Sequence, residues 1–290
     1  MKALAALFAL TLLAACGPKL DGLEEGEAGR VAEIIDGDTL VLDTGLKITL
    51  TGIEAPFGQR PYAREARAGL ERLALNRPAR LAYGGTRRLA ARAPLAATEA
   101  QAMDVKTADA PPEDALPAET ALAQVFVRSE GGRWIWLQQA MVAEGHARVR
   151  TRKENFARAA ELLAAEAQAR EARRGLWALG DYRVLSADAA AAQAASLPRA
   201  CREGPFTIVE GRVRGVSAED TRVYLNFGGP DDYRTDFTIG IYGDSVADWR
   251  ARGPAFETYE NKRVRVRGRA ANRGGPLICA DHPEQIEVLD

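Results

Sequence analysis

The sequence predicts an α+β domain, built as a small barrel with helices packed around it, followed by an all-β domain. Three observations carry this. Residues 31–42 and 46–53 alternate apolar and polar side chains with the period of two that a strand requires. Residues 62–76 place Ala66, Leu70 and Leu73 on one helical face, and residues 155–174 form an Ala-rich run with Gly175 as a natural stop. Beyond Cys201 the pattern returns to short alternating runs.

The remaining elements follow in order. Asp43-Thr44-Gly45 makes a tight turn between the first two strands. Residues 80–83 read as another strand, and 122–127 with 134–136 as a hairpin around Gly131-Gly132. Residues 137–144 form a short helix ended by Gly145, and 147–149 a last extended piece. A chain of 290 residues is long enough for two modest domains. Its 47% hydrophobic and 27% charged residues are those of an ordinary soluble globular protein. The net charge of −1 gives no global field that would draw in a polyanion, so such binding must rest on a local patch.

Residues 1–15 read as a signal peptide. Met1-Lys2 is its positive start, and the apolar run 3–13 is too short to span a bilayer. Leu13-Ala14-Ala15-Cys16-Gly17 looks like a bacterial lipobox, with Cys16 as the acylated residue. An ordinary secretory signal with an incidental cysteine is the plainer alternative. The lipobox reading puts the mature chain in the cell envelope, lipid-anchored and facing the periplasm, with membrane contact through the anchor only. Residues 16–29 are polar and acidic and suit a tether. In that oxidising compartment Cys201 and Cys279 are expected to form a disulfide, two buried free thiols being the alternative. Residues 181–200, Ala-rich over 188–197, read as a linker between a domain of residues 30–180 and one of residues 201–290.

Four segments occur in a telling order. They are Ile35-Asp36-Gly37-Asp38-Thr39-Leu40, then Gly52-Ile53-Glu54-Ala55-Pro56, then the run from Leu137 to Val149 with Glu144-Gly145-His146-Ala147 in it, then the run from Leu162 to Trp177 with Arg173-Arg174-Gly175-Leu176 at its end. Together they resemble the staphylococcal-nuclease-like (thermonuclease) family over roughly residues 30–178. The resemblance implies an OB-like five-stranded barrel with three helices. It also implies a calcium-dependent phosphodiesterase. Such chemistry needs hard oxygen ligands for Ca²⁺, a carboxylate to activate water and guanidinium groups to neutralise charge at phosphorus.

By the resemblance, Asp38 matches the first carboxylate ligand, and Glu54 stands where the family usually has Asp. The Ala55 carbonyl offers a further oxygen. The plainer reading of Asp36-Gly37-Asp38 is a strand-end turn. The catalytic positions are changed. Phe57 stands at the general base, Thr49 at the first arginine and Thr120 at the second. Lys47 shares the face of Thr49 but lacks the bidentate fork. An Ala/Pro-rich insertion, residues 89–119, precedes Thr120. Arg87 and Arg88 at its start are candidates to fold back over the site and bind nucleic acid, solvated charges at a strand end being the plainer reading.

In the second domain, residues 206–214, 222–227, 235–241, 263–269, 277–279 and 285–289 read as strands, with a helix over 244–252. This order predicts a second OB-like β-barrel domain. It resembles C-terminal domains appended to thermonuclease-family proteins, notably in Tyr224-Leu225-Asn226-Phe227-Gly228 and Pro283-Glu284-Gln285-Ile286-Glu287-Val288. OB domains hold single strands by aromatic stacking on a basic face, which makes Tyr224, Phe227, Tyr233, Arg265 and Arg267 candidates. In the run 263–267, valines are expected inward and arginines outward. His146 and His282 read as surface or capping residues. Trp134 and Trp136 read as packing residues. Arg148, Arg150, Arg152 and Lys153, with Arg170, Arg173 and Arg174, form a basic cluster that is either a solvated face or a polyanion contact.

Two functional expectations result. One is a lipid-anchored, monomeric envelope protein whose nuclease-like domain cuts weakly or not at all and binds nucleic acid or a protein partner. The other is an active calcium-dependent nuclease with a rebuilt site.

Overall fold

The computed structural model describes residues 18–89, 120–228 and 234–290. The signal segment, Cys16, residues 90–119 of the insertion and Tyr233 lie outside the described residues.

The first domain opens with β1 (Glu24–Ile34), β2 (Thr39–Leu42), β3 (Lys47–Leu50) and β4 (Gly52–Glu54). The strand expected over 31–42 is two strands. The chain reverses at residues 35–38, and Val31 pairs with Leu42. The Asp36 carboxylate accepts the N–H of Asp38 at 3.0 Å, an Asx-type turn that competes with continued pairing. Gly37 is required there, because a Cβ would lie 2.6 Å from the Ala55 Cβ and 2.8 Å from the Ala66 Cβ. The turn at residues 43–45 closes as expected, with the Gly45 N–H donating to the Leu42 carbonyl at 2.9 Å.

Next come α1 (Ala63–Ala74), β5 (Pro78–Tyr83), β6 (Arg88–Leu89), β7 (Thr120–Arg128), β8 (Trp134–Trp136), α2 (Leu137–Ala143), β9 (Arg148–Arg150) and α3 (Ala159–Glu171). The pairings run from β1 to β2, β3, β7, β5 and back to β1, and only the β3–β7 step is parallel. This ring encloses a core that includes Leu40, Leu50, Leu81 and Val125. Helices close it with Leu70, Leu137, Met141 and Leu162, all fully buried. Truncating any of these to Ala leaves a cavity that costs about 2–5 kcal/mol. The helix expected over 155–174 is shorter, because Asn155 bridges back to Arg152 and Arg158 has a left-handed φ of 60°.

Residues 185–200 do not hang free as a linker. In β10 (Leu185–Ser186) Leu185 pairs in parallel with Val209 of β11 (Phe206–Arg212), and in α4 (Ala187–Ala191) Ala190 is buried in the second core. The second domain continues with β12 (Gly215–Ala218), β13 (Arg222–Asn226), β14 (Thr238–Tyr242), α5 (Asp244–Arg252), β15 (Arg263–Asn272), β16 (Pro276–Ala280) and β17 (Ile286–Val288). With β11 and β12 taken as one bent strand, the pairings run β12, β13, β14, β16, β15 and back to β11. Again the step from the third strand to the fifth, β14 to β16, is parallel. The two domains therefore repeat one order of connections.

The domains meet through three kinds of contact. Tyr182, Trp177 and Leu176 form a small apolar cluster with Ile208 of β11. The Thr151 hydroxyl lies 2.6 Å from Nε2 of His282. Arg267 of β15, only 1% exposed, inserts towards α3, with Nη1 at 2.9 Å from Oε2 of Glu166 and at 3.1 Å from the Val149 carbonyl. Cys201 and Cys279 form a disulfide with a Cα separation of 6.0 Å. No helix of the described residues is long and apolar enough to cross a membrane.

Candidate functional site

Asp38 leaves the turn after β1, and Glu54 ends β4. They converge because the Asp38 Oδ2 accepts the N–H of Ala55 at 2.8 Å. The Thr39 hydroxyl donates to Oδ1 at 3.2 Å. Burial, and then the neighbouring Asp36 carboxylate, push the Asp38 carboxyl up to about 7.

Glu54 is 5% exposed and faces guanidinium groups. Arg60 Nη1 donates to Oε1 at 3.4 Å. Arg150 Nη1 lies 2.9 Å from Oε2 but off the hydrogen-bonding direction, so Oε2 is a buried oxygen in electrostatic contact without a hydrogen bond. The antiparallel β4–β9 pairing creates this meeting by setting Glu54 opposite Arg148 and Gly52 opposite Arg150. Arg148 is itself buried and donates from Nη1 to the Phe206 carbonyl at 3.3 Å. Burial holds its guanidinium below the usual arginine range, and Glu54 opposes that shift.

Of the three altered catalytic positions, Thr49 and Thr120 lie in the sheet of β3 and β7, and Phe57 follows β4 outside any strand. Thr49 pairs with Thr39 and Leu122, and Thr120 with Lys47. Phe57 is 49% exposed, and the Arg60 guanidinium lies 4.1 Å from its ring centroid. An apolar ring under a cation accepts no proton.

The residues do not fit a calcium cage as arranged. Ca²⁺ takes six to eight oxygens. Here Asp38 spends both oxygens on internal hydrogen bonds, and both oxygens of Glu54 face cations. Among the described residues no group of three or more His, Cys, Asp or Glu side chains is placed to hold a metal ion.

The other predicted residues are placed elsewhere. Arg87 pairs with Glu24 and lies 4.8 Å over the Tyr83 ring, so it does not fold over Asp38 and Glu54. Arg88 lies in β6, and its side chain is outside the described residues. Tyr224 packs edge-on against Tyr242. The outward basic face expected of β15 does not form at Arg265 and Arg267. Val264 and Val266 do point into the core, but Arg265 is spent on Glu210 and Glu287, and Arg267 is buried against α3. His282 is likewise no surface residue. It is 1% exposed at the domain junction while capping a short 3-10 turn at Pro283–Gln285.

Sequence reading missed Arg60 and Arg269 as neighbours of Glu54, and left Arg148, Arg150 and Arg152 in an undivided basic cluster. A signal existed for the last three. Alternate residues of an extended segment share a face, so this spacing of two aims all three arginines the same way.

The family model for staphylococcal nuclease homologues matches residues 96–179. The chain thus carries a staphylococcal-nuclease-like domain, and that family's OB-like fold agrees with the ring of pairings above. The match spans β7 to α3, whereas Asp38 and Glu54 lie before it. No curated protein matches the chain.

Proposed function

We propose that this is a lipid-anchored envelope protein whose nuclease-like domain works by binding nucleic acid rather than by cutting it. The observation that carries the reading is the state of Glu54. At the position of a metal ligand, its carboxylate faces Arg60 and Arg150. Phe57, Thr49 and Thr120 add to this, since none can act as the base or the guanidinium expected there. Losses of this kind are not additive, but each group removed accounts for orders of magnitude in rate. The second OB-like barrel and the lipidation of Cys16 complete the proposal on sequence grounds.

A second reading is an active phosphodiesterase with a rebuilt site. It is favoured by one observation: Arg60 and Arg150 place guanidinium groups beside the carboxylates although both expected arginines are gone.

The two separate on a direct assay. The chain from residue 18 onward is incubated with single-stranded DNA and with RNA in the presence of Ca²⁺. Binding without turnover supports the first reading. Turnover that disappears in Asp38→Ala supports the second.

A further inference from the structure

Arg152 has no carboxylate partner within ion-pair distance among the described residues, and neither has Arg269. They line the same cleft between the domains, of about 420 Å³, which is within the size range of ligand sites. One wall is the segment Arg150–Glu154 of the first domain. The other is built from Cys201, Arg202, Phe206 and Arg269 of the second. Neither domain alone contains the site.

The cations of this cleft are unequally compensated. Arg267 at its floor is neutralised by Glu166 and Glu287. Lys153 is paired with Asp248 at 2.5 Å. Arg150 shares Glu54 with Arg60. Arg202 has only Glu203, at 3.9 Å. Arg152 and Arg269 have no ion pair of their own among the described residues; both feel the Arg150 cation and, opposing it, the Glu54 carboxylate that Arg150 and Arg60 already share. Burial, followed by Arg150, holds both guanidiniums below the usual arginine range. Cations crowded in a half-desolvated cleft are unfavourable until an anion enters, and the gain from that anion exceeds its value in water.

The cleft is also organised beyond its charge. The Arg269 Nη1 donates to the Gly204 carbonyl at 2.7 Å, which fixes its direction. The Phe206 ring lines the same cleft, with the Arg148 guanidinium 4.7 Å and that of Arg150 5.8 Å from its centroid. An arginine row with an aromatic platform is the arrangement that holds a single strand, with phosphates on the guanidiniums and a base on the ring.

We infer that the interdomain cleft is the binding site for single-stranded nucleic acid, with Arg152 and Arg269 gripping the phosphodiester backbone from opposite domains and Phe206 supporting a base. This rests on the binding reading above and gives it a location, with Arg269 of β15 in place of the Arg265 and Arg267 that sequence alone suggested.

The test uses the full chain in non-ionic detergent and a fluorescein-labelled 12-mer of oligothymidylate, with anisotropy read across a NaCl series. Arg152→Ala/Arg269→Ala should raise Kd at least about tenfold. It should also flatten the salt dependence by about 1.4 in log–log slope, the value for two lost phosphate contacts on a single strand. Phe206→Leu should weaken binding with the salt slope unchanged. Arg128→Ala, on the hairpin of the first domain, should bind as the wild type does. A far-ultraviolet spectrum and melting temperature establish that each variant is folded. If the wild type binds and the double variant binds equally well, the cleft is the wrong site while the binding reading stands. If the wild type does not bind the oligonucleotide at all, both fail. Binding to phosphatidylglycerol vesicles but not to the oligonucleotide, lost in the double variant, would overturn the assignment in favour of a lipid headgroup.

Discussion

Arg150 Nη1 stands 2.9 Å from the buried Oε2 of Glu54. In a working phosphodiesterase of this family the carboxylate would face a metal and the guanidinium a phosphate. Here they face each other, with Arg60 on the other carboxylate oxygen. Glu54 thus meets internal guanidiniums at the position where the family resemblance expects a metal ligand.

That arrangement predicts opposite effects on stability and binding. Glu54→Gln should lower unfolding stability by roughly 3 kcal/mol, the low end for removing one partner of a buried ion pair, since Arg60 still reaches solvent. The same variant should bind oligothymidylate more tightly, because a negative charge is gone and two guanidiniums are released. Urea unfolding and anisotropy check the two halves. Weaker binding in a folded Glu54→Gln protein would contradict this account of Glu54.

The domain junction predicts a second stability effect. Arg267 compensates Glu166, which has no exposure, and Glu287. Arg267→Ala leaves the buried Glu166 carboxylate with Arg170 as its remaining arginine partner, at 3.3 Å, and should cost about 3 kcal/mol, the low end for breaking a buried pair. Because that carboxylate sits between the domains, the loss should split urea unfolding into two transitions. A single transition at the wild-type midpoint would mean that Arg267 does not join the domains.

The disulfide predicts a cost on the second domain alone. Cys201 and Cys279 are 78 residues apart in sequence, a long loop to close in the unfolded chain. Reduction, or Cys201→Ala/Cys279→Ala, should lower the stability of the second domain by roughly 2–4 kcal/mol. Trp249, fully buried in that domain's core, is a suitable fluorescence reporter.

His146 predicts a pH dependence. It sits against Gly69, where an added Cβ would lie 2.4 Å from its ring, and Nδ1 is 3.2 Å from the Tyr62 hydroxyl. Burial, the largest influence, lowers its pKa below the ordinary 6.5, although Glu144 opposes this. The unfolded chain therefore binds more protons than the folded one just below 6.5. The histidine's contribution is complete above that pH and is lost as pH falls through the folded-state value. The drop in urea midpoint from pH 7.5 to pH 5 should be smaller in His146→Gln than in the wild type.

Much of the fold was legible because local chemistry and tertiary structure agree. The Asp43-Thr44-Gly45 turn, the hairpin at Gly131-Gly132 and the helix at Asp244–Arg252 all form where composition put them. The break at Asp36 was legible only as the plainer turn reading of Asp36-Gly37-Asp38, and the Asx hydrogen bond is what reverses the chain there. The site was legible as substitutions within a motif: Thr49, Phe57 and Glu54 could be read one by one. What replaced the lost groups was not. Arg60 and Arg269 reach the region of Glu54 through tertiary contacts, one from a turn and one from a different domain. The burial of Arg267 was illegible for the same reason, since an alternating strand looks alike whether its polar face meets water or another domain.

The central claim is that the nuclease-like domain binds and does not cut. The most direct test is the initial rate of cleavage of single-stranded DNA and of RNA, with Ca²⁺ present, by the chain from residue 18 onward and by its Asp38→Ala variant. The account predicts that the two rates are equal within error and indistinguishable from buffer, while the wild type still retains the oligonucleotide. Multiple turnover by the wild type, abolished by Asp38→Ala, would contradict it.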